Sequence, residues 1–248
     1  MPADISNFSN RRPFVGVTPQ MSLRLSLLYL CSSLLGCGPA SWPVPVTATN
    51  VATTPATVQV ELSARAGQVS LVDTTRTPVY RYVDRAGSSA PVGLAPLVFE
   101  LEVGDRLVVP FHNELEEATT IHWHGLRLPN VMDGNPFAGP QGHTGGGVAP
   151  GAAFTYEYEV KDVGLFWFHP HVRSDEQVDK GLYGLIRVRP RGTPVPSEDE
   201  ERLVILDDAD LDEQGQFRAP ADGHDLIQLG RGGATMLLNG RVSERRLP

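Results

Sequence analysis

Two short motifs hold the residues of this 248-residue chain that could do chemistry. His122-Trp123-His124-Gly125 and His169-Pro170-His171 each set two imidazoles at positions i and i+2. In an extended strand such side chains project from one face, about 6.5 to 7 Å apart. Each pair therefore offers two nitrogen ligands in one direction. A lone histidine near a strand end is more often a half-buried polar residue than a ligand, and a single His-x-His pair still leans that way. Two pairs in a chain of seven histidines, flanked by Trp123 and by Phe166, Trp167 and Phe168, point to a metal centre. Imidazole suits copper, zinc, iron or nickel, so ligand type alone does not choose the metal.

The elements that must position these motifs are short strands. From Val58 the apolar residues run in VQVEL, LVFELEV, RLVVPF, FTYEYEV, LFWFH, LYGLIRV and RLVILDD, several with period two. Gly104-Asp105, Asp133-Gly134, Gly145-Gly146-Gly147 and Pro150-Gly151 are turn signals between them. The 25 glycines and 21 prolines make about a fifth of the chain, against an average of roughly 12%. With no helical period over twelve or more residues, a parallel βαβ architecture is disfavoured, and an antiparallel all-β sandwich or barrel is the expected fold. Residues 189–201, RPRGTPVPSEDEE, carry three prolines and an acidic run, and 191–201 read as an inter-domain linker. Beyond them, 202–248 hold two strand-like runs, RLVILDD and ATMLLNG, too few to bury a core alone.

A net charge of -8 repels a phosphate backbone, so no nucleic-acid partner is expected. The only cysteines, Cys31 and Cys37, lie near the start. That excludes a disulfide in the globular part, a cysteine nucleophile, a cysteine-based zinc finger, and any copper site needing a thiolate from this chain. Residues 25–35, LSLLYLCSSLL, are too short for a bilayer span of about 20 apolar residues. They read as the core of a secretory signal over 1–37, with Met21 as a candidate start. Leu34-Leu35-Gly36-Cys37 resembles the cleavage box of bacterial lipoprotein signals, in which Cys37 would be lipidated. Arg11-Arg12-Pro13-Phe14-Val15 resembles a twin-arginine signal, and an ordinary cleaved signal is the third reading. All three put the mature chain outside the cytoplasm, in the periplasm or cell envelope, with a membrane met only through the lipid anchor. Residues 38–57, rich in Pro and Thr, then read as a tether.

The stretch IHWHGLRLPNVMDGNP (121–136), a Pro-Gly turn, an FTYEYEV strand and GLFWFHPHVRSDEQVDKGLYGLIRV (164–188) together resemble the first cupredoxin domain of the laccase-like multicopper oxidases. Upstream, FELEVGDRLVVPFHNEL, with its Gly-Asp turn and Asn113, fits the same domain, and TMLLNGR (235–241) is similar to the beginning of the next. The resemblance implies a cupredoxin-like Greek-key β-sandwich over 58–190 and an incomplete second cupredoxin domain over 202–248. It also implies a trinuclear copper cluster held by eight histidines from four motifs. Four would come from this chain, His122 on the type 2 copper and His124, His169 and His171 on the type 3 pair. Asp133 resembles the acidic residue that helps move protons to the oxygen intermediate, while Asp before Gly is equally a good turn former. Trp123, Trp167 and Phe168 would pack around the ligands and limit solvent access. His112, His143 and His224 match no ligand position and read as surface residues.

The family's C-terminal motifs, one of which supplies the cysteine of the electron-accepting type 1 copper, have no counterpart in this sequence. The expected function is therefore the copper-binding N-terminal portion of a multicopper oxidase. In the complete enzyme, one-electron oxidation of a reducing substrate is coupled to reduction of O2 to water. This portion would not be competent alone and would need a C-terminal cupredoxin domain, in cis or from another chain, as part of a longer protein would. The alternative is a non-catalytic extracytoplasmic copper-binding or copper-handling cupredoxin module, and a third reading is a zinc or other metal site.

Overall fold

A computed structural model describes residues 47–49 (backbone), 54–72, 75–86, 93–136, 146–194, 196, 201–218 and 232–242. The expected signal with Cys37, most of the tether, His143, Gly145 and His224 lie outside these residues. Contacts divide the chain into 1–41 and 42–248, and all that follows concerns the second unit. Among the described residues no helix is long and apolar enough to cross a membrane.

The fold is all-β. In chain order the strands are β1 (Thr47–Thr49), β2 (Thr57–Gln59), β3 (Leu62–Val69), β4 (Thr77–Asp84), β5 (Leu97–Glu102), β6 (Arg106–Asn113) and β7 (His122–His124), then β8 (Ala153–Glu159), β9 (Gly164–His169), β10 (Gly184–Arg189), β11 (Leu206–Ala209), β12 (Thr235–Leu238) and β13 (Arg241–Val242). A 3-10 turn covers Asn130–Met132 and a short helix, α1, covers Ser174–Asp179. One sheet runs β1-β5-β10-β9-β7. In the second, β6 pairs with β8 on one side and with β2 and β3 in succession on the other, and β4 lies beyond β3. A third sheet is β11-β12-β13.

Alternation builds the core. Along β6, Leu107, Val109 and Phe111 are fully buried while Val108 and Pro110 between them are partly exposed. They meet Phe99, Leu101, Trp123, Tyr156, Phe168 and Ile186 in one apolar cluster, each fully buried side chain of this kind being worth about 1.5–3 kcal/mol. The sheets are mixed rather than purely antiparallel. Strand β5 pairs in parallel with β1 and β10, and β6 in parallel with β2 and β3. Consecutive β5 and β6 enter different sheets, so the strand returning beside each comes by a crossover and not a hairpin, and local alternation carries no mark of that direction.

Two elements have no signal in the apolar pattern. In β4, Tyr80 and Arg81 are half-buried neighbours, which breaks the alternation of TPVYRYVD. Helix α1 has six residues, too few to display a helical period. Within the expected tether, 47–49 pair with β5 and Thr57 with β6. After the expected linker, only Leu206, Asp207 and Asp208 of the run RLVILDD enter a strand, Leu206–Ala209. Asn239 (φ +49°) and Gly240 (φ +76°) form the two-residue turn that adds β13 to β12, as Asn-Gly does in tight hairpins. Ala209 and Leu237 are buried with Val69, Leu71, Val79 and Leu94 in a second apolar cluster.

Candidate metal centre

Strand β7 is an edge of the first sheet and runs antiparallel to β9, with His122 opposite His169, Trp123 opposite Phe168 and His124 opposite Trp167. Directly opposed residues share a face. His122, His124, His169 and Trp167 therefore occupy one face of the pair, and Trp123 and Phe168 the other. Trp123 and Phe168 are fully buried with ring centroids 5.4 Å apart, which anchors both motifs in the core. Phe168 also lies against Gly184, where an added Cβ would be 2.0 Å from Phe168 Cζ.

The face away from the core gathers all four histidines named from the sequence. Ligand nitrogens of His122, His169 and His171 lie within 4.8 Å of one another. His124 joins through its Nδ1, 3.3 Å from His169 Nε2. The rings of His122 and His171 stack at 4.0 Å, and Trp167 stacks on His169 at 3.9 Å. Thus Trp167 covers His169 directly, while Trp123 and Phe168 support the histidine-bearing strands from the opposite face.

Two of the rings are held from behind. His122 Nδ1 is 2.8 Å from the Asp133 carbonyl, and His169 Nδ1 is 2.9 Å from the Pro170 carbonyl. A carbonyl only accepts, so each Nδ1 carries the proton and each Nε2 keeps its lone pair. The Asp133 carboxylate also comes within 3.3 Å of His122 Nδ1, so this residue reaches the site through both backbone and side chain. The 3-10 turn and Gly134 bring it there. Gly134 has φ +72°, and a Cβ on it would stand 1.9 Å from the Ile121 carbonyl oxygen.

Burial pushes the His169 imidazole down to about 4, reinforced by His122, His171 and His124 and opposed by the bond to Pro170. Burial lowers His171 as well, with His122 and His124 adding to the effect and Asp133 opposing it. His169 is thus neutral at pH 7, the form that ligates a metal. His112, on β6, is partly exposed and its Nε2 stands 3.5 Å from Glu61 Oε1.

Several buried polar residues around the motifs were not singled out from the sequence. Tyr82 Oη donates to the Thr120 carbonyl at 2.9 Å, and the Ile121 amide donates to Tyr156 Oη at 2.8 Å. The His171 amide donates to Thr120 Oγ1 at 2.9 Å. Gln177, fully buried in α1, accepts from Thr119 Oγ1 at 2.8 Å and donates to the Ala118 carbonyl at 3.0 Å. The one available sign was the Thr119-Thr120 pair immediately before an apolar, motif-bearing strand.

Residues 94–193 match the multicopper oxidase family. The chain is 36% identical over 168 residues to the multicopper oxidase MmcO of Mycobacterium tuberculosis, covering 65% of this chain and 31% of that protein. It is 34% identical over 116 residues to copper resistance protein A of Pseudomonas syringae pv. tomato, covering 47% and 18% respectively. The crystal structure of a multi-copper oxidase from Pseudomonas thermotolerans superposes with a TM-score of 0.61 at 33% identity, over 76% of this chain and 42% of that one. A multicopper oxidase from Campylobacter jejuni, described as a metallo-oxidase, gives 0.63 at 25% identity, over 81% and 39%. The chain spans about a fifth to a third of these curated relatives and about two fifths of these structures. Motifs, sheet pairing and superposition agree that residues 94–193 belong to the multicopper oxidase family and that the chain corresponds to the N-terminal cupredoxin region of such proteins.

Proposed function

We propose that the chain supplies the N-terminal share of the copper ligands of a multicopper oxidase, through His122, His124, His169 and His171. The observation that carries this reading is the register of β7 on β9, His122 opposite His169, which turns the imidazoles of His122, His124 and His169 to a common face. The donor set fits copper. It consists of imidazoles, two of which have their Nδ1 protons taken by carbonyls, and His169 stays neutral well below pH 7. Bound copper would supply one-electron redox chemistry, by which the complete enzyme passes electrons from a reducing substrate to O2.

The protein's own residues do the rest. The Asp133 carbonyl holds His122 in the tautomer that leaves Nε2 free. The Asp133 carboxylate, 31% exposed and 3.3 Å from His122 Nδ1, can exchange a proton with solvent at the rim of the site. Trp167 excludes water from one side of His169, and the buried pair Trp123 and Phe168 excludes it from beneath. The remaining ligands and the electron-entry site would come from a C-terminal cupredoxin domain, in cis or from another chain, with residues 202–248 reading as the start of the next domain. Export from the cytoplasm and an anchor at Cys37 belong to the same reading.

A second reading, a copper-handling module without oxidase activity, is favoured by the three imidazoles whose ligand atoms lie within 4.8 Å, close enough to hold one ion without a further chain. Metal analysis and Cu(II) titration of the purified protein test both. Copper is expected to bind in preference to zinc, and His122→Ala, His124→Ala, His169→Ala and His171→Ala together are expected to abolish uptake. Uptake that survives all four changes overturns both readings. Oxygen consumption that appears only when a C-terminal cupredoxin domain is added separates the first from the second.

A further inference from the structure

We propose that Thr120 is a positioning residue for the metal centre and that its hydroxyl sets where His171 stands relative to His122. The proposal rests on the reading of the histidines as ligands. The ladder between β7 and β9 ends at His122 opposite His169. It registers His122, His124 and His169 but does not reach His171. Pro170 has no N–H to extend it. The next backbone donor is the His171 amide, and it donates to Thr120 Oγ1 at 2.9 Å.

Thr120 is suited to hold that amide still. It is fully buried, two residues before His122. Its carbonyl accepts from Tyr82 Oη at 2.9 Å, and the following amide donates to Tyr156 Oη at 2.8 Å. Both tyrosines belong to the main apolar cluster, so the Thr120 backbone is tied to the core from two sides. Its hydroxyl therefore projects from a fixed point, and the backbone of His171 is measured from it. The rings of His122 and His171 are only 4.0 Å apart, so a small movement of the turn after Pro170 changes the spacing of the nitrogens.

A separate tie makes the role testable. Gln177 bonds Thr119 and Ala118, holding α1 to the segment before β7 without Thr120. Removing the Thr120 hydroxyl alone should therefore loosen His171 and leave the fold in place. Thr120 touches no metal and acts only through His171.

The test compares Thr120→Val, which keeps the shape and removes the acceptor, with Thr120→Ser, which keeps the acceptor. Cu(II) affinity is measured by chelator competition, and the one-equivalent copper form is examined by electron paramagnetic resonance. Thr120→Val is expected to weaken copper binding by about 10- to 100-fold, the usual cost of losing a group that orients a ligand, and to change the copper hyperfine splitting. Thr120→Ser is expected to restore both. Unchanged affinity and spectrum in Thr120→Val overturn the proposal, as does a loss in both variants that tracks only their melting temperatures. His171→Ala distinguishes the underlying reading: if the otherwise unchanged protein keeps its copper affinity and spectrum in that variant, His171 is no ligand and both ideas fall. Should Thr120→Val not fold, Thr120→Ala takes its place. In the unsubstituted protein, a His171 amide exchanging with solvent as fast as an unprotected peptide also overturns the proposal.

Discussion

At the scale of single residues, the chemistry depends on which ring nitrogens keep a lone pair at working pH. His169 illustrates the consequence for stability. Its folded value is held at about 4 by burial, below the ordinary 6.5 of the unfolded chain. Between those values the unfolded chain binds a proton that the folded chain does not, so stability falls as the pH drops from 6.5 to about 4 and levels off below. Urea titrations of the metal-free protein at pH 7 and 4.5 should show a larger drop in midpoint for the unsubstituted protein than for His169→Gln. Equal drops would mean that His169 is not held neutral by burial. Asp133 separates backbone from side chain in the same way. Asp133→Asn preserves the carbonyl that holds His122, so copper affinity should change little. In the complete enzyme, O2 turnover should slow by about 100-fold if the carboxylate carries protons, and undiminished turnover removes that role.

At the scale of elements, the centre is a two-strand pair whose inner face is packed and whose outer face gathers the imidazoles. Trp123 touches Tyr156, Tyr158 and Phe168 and is fully buried. Trp123→Ala should cost about 3–5 kcal/mol in chemical denaturation. Its Nε1 has no hydrogen-bond partner among the described residues, so Trp123→Phe loses volume but no hydrogen bond and should cost clearly less. Gly184→Ala places a methyl 2.0 Å from Phe168 Cζ. The overpacking should cost about 1–3 kcal/mol and, because Phe168 precedes His169, should also weaken copper uptake. Calorimetry and Cu(II) titration on the same samples check the two effects together. Alternation in IHWHG and LFWFH made the inward and outward faces legible beforehand. The support from Thr120 and Gln177 was not legible, because a buried hydroxyl or amide declares its role only once its partner, 51 or 58 residues away, is known.

At the scale of the whole molecule, the segment read as a linker starts from a fixed point. Arg191 donates to the Val103 carbonyl at 3.0 Å and to Glu102 at 3.1 Å, and it pairs with the fully buried Asp105. Arg187 forks onto Glu100, both Nε contacts being 2.8 Å, while Arg189 reaches Glu201 at 2.7 Å. The hydrogen bonds that Arg187 donates to Glu100 are the main reason its guanidinium is held above its usual range. Glu100 is 8% exposed, and removing Arg187 leaves this buried carboxylate only the longer 3.9 Å contact with Arg189 Nε. Arg187→Met alone should therefore cost about 3 kcal/mol, and the double change with Glu100→Gln should recover much of it; denaturant titration of both variants is the check. Leu237→Ala removes the buried centre of the second apolar cluster, shared by 69–94 and 209–237. It should lower the stability of the described unit by about 2–5 kcal/mol in thermal unfolding.

The sequence by itself determined the chemistry available and the local form: imidazoles in two i, i+2 pairs, short alternating strands, an Asp-Gly turn beside the first pair, and the family resemblance that these carry. Each of those properties is local, because side-chain alternation has a period of two and turn residues act on their own backbone. Only the tertiary structure decided that His122 stands opposite His169, that β5 and β6 take parallel neighbours, that the Asp133 carbonyl orients His122, and that Thr120 holds His171. Which strands become neighbours is settled by crossovers tens of residues long and by the burial of Trp123 against Phe168, and a one-residue slip of that register would turn the histidine face into the core.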